Sequence, residues 1–243
     1  MARSVVIDER FCGPPGIGNG GYVAGRLALT LAGAPERVVE VTLRRGTPLG
    51  RALDLVDAGD GIALHDDDRL IAEAHPGALA LDAPAPPTFE QAARAPYAGF
   101  HHHSFPRCFA CGPERTKGDG LRVMPGPVSA DLLAAAWVPD AAFADADGRL
   151  RSEFVWAALD CPGGWAVIAD GNPRVLLGRL TARLERPVQA GERCVVTAWR
   201  LGIDGRKRTA GSALYGADGR LAALAHATWI ELAPAVPMSA PAQ

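Results

Sequence analysis

An α+β fold built from two helix-plus-antiparallel-sheet repeats is what the 243-residue sequence predicts, on three observations. A short apolar helix opens each half, several strand-like segments follow each helix, and segments of one half can be laid on segments of the other. With 48% hydrophobic residues the chain can bury a sizeable core, and its formal charge of −2 argues against a protein that grips nucleic acid by neutralising phosphates. No apolar run approaches the ~20 residues of a membrane span. The opening "MARSVVIDERFCG" lacks the apolar stretch of a signal peptide, so a cytoplasmic protein without membrane insertion is expected. Five cysteines, odd in number and irregular in spacing, are expected as free thiols.

The first element is prepared by "GPPGIGNGGYVAG", residues 13–25, which runs directly into apolar sequence and so does not read as a flexible linker. A helix is predicted over 20–32, stopped by Gly33 and Pro35. Strands follow at 37–45, 51–59 and 69–81, where β-branched residues or alternation of apolar and polar positions recur. A Pro- and Ala-rich stretch then breaks the pattern. It divides the chain into a first repeat over 1–82, a connector over 83–106, a second repeat over 107–235 and a tail over 236–243.

In the second half "SEFVWAALD", 152–160, is the helical piece, expected to break at "CPGG", with "WAVIA" resuming it. Strands are predicted at 174–188, 192–202, 206–216 and 220–232. The segment beginning at Arg37 falls on the one beginning at Arg174, and 69–81 falls on 220–232, a divergent internal repeat.

This arrangement resembles the double hotdog fold of the acyl-CoA thioesterase superfamily, in which each curved sheet wraps a central helix. Asn19-Gly20-Gly21 is similar to the His-Gly-Gly helix opening of many hotdog thioesterases. "CFACGPERTKGDGLRV", 108–123, resembles the Cys-Phe-x-Cys-Gly…Gly-Leu segment of phenylacetyl-CoA-thioesterase-like proteins, and "FVWAALDC" resembles their acid-bearing helix. The resemblance implies hydrolysis of an acyl thioester, with acyl-CoA or an acyl-carrier protein as partner and no cofactor. Pairing two repeats in one chain already supplies what single-hotdog proteins obtain by dimerising, and a homo-oligomer of the whole chain is a further expectation.

Chemistry then points to particular residues. A helix start exposes amides without intrahelical partners and carries partial positive charge. Glycines there let a carbonyl approach, so Gly20 and Gly21 are candidate oxyanion donors, with Asn19 capping the helix or polarising the carbonyl. Close helix packing is the alternative reading of the same glycines. Asp160, at the end of an apolar helix, is the candidate acid that orients or deprotonates water or attacks the thioester itself. Its alternative is a surface or turn-capping carboxylate, and Glu153 is the rival acid.

Spacing adds a constraint. In the family pattern the acid lies nine residues after the first residue of the His-Gly-Gly motif. Counting back from Asp160 reaches Arg151, which does not match, and counting forward from Asn19 reaches Ala28, which is no acid. An acid that far along a helix sits ~12 Å from the amides at its start. The two groups therefore have to come from different helices, and antiparallel helices would form one composite site with the symmetry-related site degenerate.

Trp156 is a candidate wall of the acyl pocket, with core packing as the alternative. Arg206, Lys207 and Arg208 form the densest basic stretch and are candidates to meet coenzyme A phosphates, or else a solvated hairpin. Cys108 and Cys111 have zinc-ligand spacing and His101, His102 or His103 could add a ligand, but a fourth would have to arrive by folding; the reading taken is that no metal is bound. No Gly-x-Ser-x-Gly elbow supports a serine nucleophile. His226 does not complete the Asp and His pair of a hydratase. A non-catalytic acyl-CoA or acyl-carrier-protein binding module is the alternative function, because fold alone licenses no activity.

Overall fold

Side-chain alternation and glycine placement produce fourteen regular elements in the computed structural model, which describes residues 3–31, 38–168 and 174–232. In chain order these are β1 (Arg3–Val6), α1 (Gly20–Ala28), β2 (Val39–Leu43), β3 (Ala52–Ala58), β4 (Gly61–Asp66), β5 (Arg69–Pro76) and α2 (Phe89–Arg94). There follow β6 (Gly126–Pro127), β7 (Leu133–Trp137), α3 (Ser152–Val167), β8 (Val175–Leu184), β9 (Cys194–Asp204), β10 (Lys207–Tyr215) and β11 (Leu221–Glu231). Among the described residues no helix is long and apolar enough to cross a membrane.

The strands form one antiparallel sheet in the order β1-β3-β4-β5-β2-β8-β11-β10-β9-β7-β6. Its seam is the β2–β8 pair, with Val41 opposite Leu180. Outward from the seam, β2-β5-β4-β3-β1 on one side has the same chain order as β8-β11-β10-β9-β7 on the other. The segments that the sequence lays on each other, β2 on β8 and β5 on β11, thus stand at equal distances from the seam.

Helices α1 and α3 pack against each other with opposite directions. Gly21 lies beside Ala157 and Asp160, whereas Gly25, one turn on, lies beside Glu153 and Trp156. A Cβ at Gly21 would come 2.4 Å from the Asp160 Cβ and 2.7 Å from the Trp156 carbonyl oxygen, and one at Gly25 would come 2.6 Å from the Glu153 Cα. Close helix packing and a bare helix start are therefore both true of this motif. Buried Phe109, Phe143, Phe154 and Tyr22, with Phe11, form an aromatic cluster beside the pair, Phe11 stacking on Tyr22 at 4.0 Å.

Three expectations need correction. Helix α1 ends at Ala28 instead of residue 32, and Gly33 and Pro35 lie outside the described residues. Helix α3 does not break at 161–164 but continues to Val167 with Pro162 inside it. Proline and two glycines cost the helix several kcal/mol locally (about 3 for Pro and about 1 for each Gly), yet all three are buried, and a Cβ at Gly164 would come 2.9 Å from the Trp229 ring. Packing that only glycine permits offsets the local preference. Third, the sheet gains β1, β4, β6 and β7, none of which stands out in the sequence.

The connector is also structured. Thr88 caps α2 through a reciprocal capping box with Gln91. Ala92 packs with Ala134 and Val195, and the Tyr215 hydroxyl donates to the Pro84 carbonyl at 2.6 Å, so the segment straps the outer face of the second half. Beyond it, the loop bearing Cys108 returns to the first half, where the Phe109 N–H donates to the Cys12 carbonyl at 2.7 Å.

Candidate active site

The glycine-rich stretch ahead of α1 folds as a tight hairpin. Gly13 N–H donates to the Ile17 carbonyl at 2.8 Å, Gly16 takes a positive φ of 72°, and Gly18 N–H is tied to the Thr47 carbonyl at 2.9 Å. The hairpin delivers Asn19 to the helix cap, where its Oδ1 accepts from the Tyr22 N–H at 2.9 Å.

At this helix start the carboxylate of Asp160 arrives from α3. Its Oδ2 accepts from the Gly21 N–H at 2.8 Å and from the Asn19 Nδ2 at 3.1 Å. Asn19 thus spends one end of its amide on the cap and the other on the acid. Oδ1 of Asp160 is buried without a hydrogen-bond partner, and Asp160 as a residue is only 2% exposed. Burial pushes its pKa up to about 7, against the opposing pull of the Gly21 N–H and the Asn19 amide. The Gly20 N–H makes no hydrogen bond among the described residues.

A pocket of about 350 Å³ opens over this junction, lined by Gly20, Asn19, Asp160, Leu43, Leu177 and Trp229 among others. Two buried polar atoms of its lining residues lack partners, the Asp160 Oδ1 acceptor and the Trp229 Nε1 donor. Such groups are costly when left unmade. Arg44 and Arg45 also line this pocket, and an adjoining groove shares Leu43, Arg44 and Gly178 with it and reaches Arg179 and Lys207.

Three thiols sit beside the acid. Cys108 Sγ and Cys161 Sγ are 3.6 Å apart, and Asn19 Nδ2 lies 3.7 Å from the first and 3.8 Å from the second. Hydrogen bonds from Cys111, Cys161 and backbone amides hold the Cys108 thiol below its ordinary pKa, whereas sharing a proton with Cys108 pushes Cys111 and Cys161 up.

The structure therefore brings Asn19, Gly20, Gly21 and Asp160 together. Trp156 is 3% exposed, packs its Cβ toward Gly25 and is not among the residues that line the pocket. Arg206, Lys207 and Arg208 stand at the β9–β10 turn; Arg208 is engaged by Glu231 at 2.6 Å and by the Val167 carbonyl at 3.2 Å, and Lys207 faces the groove. Glu153 is buried in the first turn of α3, 3.8 Å from Arg151, on the far side of Gly25 from Asp160. Sequence reasoning did not single out Leu43, Arg44, Arg45, Leu177 or Trp229. Leu43, Leu177 and Trp229 come from β2, β8 and β11, and Arg44 and Arg45 directly follow β2; strand periodicity marks a face as buried without saying that it lines a pocket.

No family model matches the chain, and no curated protein matches it by sequence. Solved structures do. The acyl-CoA thioesterase II TesB2 from Mycobacterium marinum superposes with a TM-score of 0.61 at 13% identity, covering 96% of this chain and 93% of that one. A tesB protein from Mycobacterium avium subspecies paratuberculosis gives 0.61 at 13%, covering 89% and 88%, and a candidate thioesterase from Novosphingobium aromaticivorans gives 0.61 at 16%, covering 95% of each chain. At such identities the likeness is one of fold.

Proposed function

We propose that the chain is an acyl-CoA thioesterase of double hotdog architecture, acting at one composite site where the start of α1 meets Asp160. The observation that carries this reading is the half-used carboxylate. One oxygen of Asp160 is clamped by Gly21 and Asn19 while the other has no partner, beside a largely apolar pocket. The thioester carbonyl lies against the Gly20 N–H and the positive end of α1, which stabilise the oxyanion as it forms. Water held by Asp160 Oδ1 attacks the carbonyl carbon. The carbon–sulfur bond then breaks, and the proton taken from water passes through Asp160 to the departing thiolate, giving a carboxylic acid and free thiol. The acyl chain occupies the space between Leu43, Leu177 and Trp229, and the coenzyme A phosphates follow Arg44, Arg45, Arg179 and Lys207 along the groove. The equivalent junction, Ala28 against the start of α3 at Arg151, has alanine where the acid would stand and Ser152-Glu153 in place of the glycine pair, and is silent.

A thiol-release assay against short, medium, long and aromatic acyl-CoAs tests this, run beside Asp160→Asn. Hydrolysis in the parent is expected to fall by about two orders of magnitude or more in the variant, the scale of losing a positioned acid or base. Retention of full activity in Asp160→Asn would sink the mechanism. One observation favours the second reading, a non-catalytic acyl-CoA or acyl-carrier-protein binder. The Gly21 N–H and the Asn19 amide are already spent on Asp160, which leaves a single free amide for an oxyanion. Acyl-CoA binding without turnover by the parent would decide for that reading.

A further inference from the structure

We propose that Cys108, Cys111 and Cys161 hold a zinc ion, which pins α3 to the loop that carries Cys108 and Cys111. The three Sγ atoms all lie within 4.8 Å of one another. Four ligands at a Zn–S distance of ~2.3 Å stand about 3.8 Å apart in a tetrahedron, so the sulfurs are already close to coordinating separation. Cys161 comes from a different element, 50 residues beyond Cys111 in the sequence, and folding alone places it here.

Buried cysteines are usually small apolar filler. These differ in what surrounds the sulfurs. Residues 108–112 form a tight turn in which the Gly112 N–H donates to the Cys108 carbonyl at 2.8 Å. Only glycine fits at 112, since a Cβ would come 2.5 Å from the Pro106 carbonyl oxygen and 2.6 Å from the Cys108 nitrogen. Asn19 supplies a donor, its Nδ2 facing the sulfurs of both Cys108 and Cys161. Outer hydrogen bonds of this kind orient metal ligands. The Tyr97 hydroxyl, donating to the Cys111 carbonyl at 2.7 Å, fastens the turn from outside. Soft sulfur ligands select zinc over hard cations.

The nearest further ligand is His103, whose Nε2 lies 3.3 Å from the Cys111 sulfur. Its Nδ1 accepts from the Phe105 N–H at 2.9 Å, so Nε2 carries the proton in the neutral ring. Ligation by Nε2 requires the proton to move to Nδ1 and that bond to be given up; otherwise water from the adjoining pocket takes the fourth position.

Metal analysis of the whole chain, purified under reducing, chelator-free conditions, tests the site. About one zinc per chain is expected, with a cobalt-substituted form showing the intense near-ultraviolet charge-transfer band of thiolate ligands. Cys108→Ser and Cys161→Ser lose most of the zinc, whereas Cys194→Ser, buried elsewhere in β9, keeps it. Since a ligand variant can fail to fold, the parent is also stripped with a strong chelator. Its melting temperature is expected to fall and to recover on adding zinc back. His103→Ala shifts the cobalt spectrum if the imidazole is the fourth ligand and leaves it unchanged if water is; either result retains the three-cysteine core. Parent protein that carries no zinc and takes up no cobalt while all five thiols titrate as free overturns the proposal. So does a Cys108–Cys161 disulfide found by mass spectrometry.

Discussion

Asn19 joins two jobs that other residues usually divide. Its Oδ1 caps α1 and its Nδ2 clamps Asp160, so removing the side chain orphans a helix amide and strips a donor from a buried carboxylate at once. Asn19→Ala should lower unfolding stability by about 1–2 kcal/mol, the range for losing a side-chain cap, read from the denaturant midpoint. Asn19→Ser keeps an oxygen for the cap but has no amide to give Asp160. It should recover most of the stability while leaving thioester hydrolysis depressed. Equal recovery of both would mean that the cap is all that Asn19 provides. The glycines show the same economy: the Gly21 position has no room for a Cβ because its amide must reach the acid.

At the scale of elements, the contact between α1 and α3 positions the site. Gly21 and Gly25 form one bare stripe, four residues apart, that admits the backbone of α3. Gly25→Ala puts a methyl 2.6 Å from the Glu153 Cα, an obstruction of backbone that no side-chain rotation relieves. Overpacking of this kind should cost about 1–3 kcal/mol and reduce hydrolysis as well, because parting the helices draws Asp160 off the Gly21 amide. A variant with parental midpoint and turnover would show that the contact has slack. Helix α3 illustrates what local sequence hides. Its Cys-Pro-Gly-Gly run reads as a stop because each residue is a poor helix former, and it continues because Trp229 packs where a side chain would otherwise be. Strand β7, Leu-Ala-Ala-Ala-Trp, is hidden for the opposite reason, since alanine has little strand preference and the β9 partner supplies the pairing.

For the whole molecule the seam between β2 and β8 is decisive. It joins a five-strand set and a six-strand set into one sheet and sets the central helices side by side. Residues 1–82 alone would expose β2 as an unpaired edge and lose the cover of α3 over α1. That fragment is expected to lack a cooperative thermal transition by circular dichroism, and a folded monomer would show that each half is independently stable. The outer strap from 83 to 106, with α2 on Ala134 and Val195, adds a further tie within the second half.

By itself the sequence determined the starts of α1 and α3 and most strands, and it laid β2 on β8 and β5 on β11. These follow from short-range rules: apolar period, capping chemistry, and glycine and proline placement. Only the tertiary structure decided that Asp160 Oδ2 seats on Gly21 and Asn19, that Trp156 belongs to the core, that Arg208 is engaged by Glu231, and that Cys161 joins Cys108 and Cys111. Each is a meeting of residues distant in the chain. Which side chains meet depends on strand register and on how closely two glycine-bearing helix faces approach, and no local pattern encodes either.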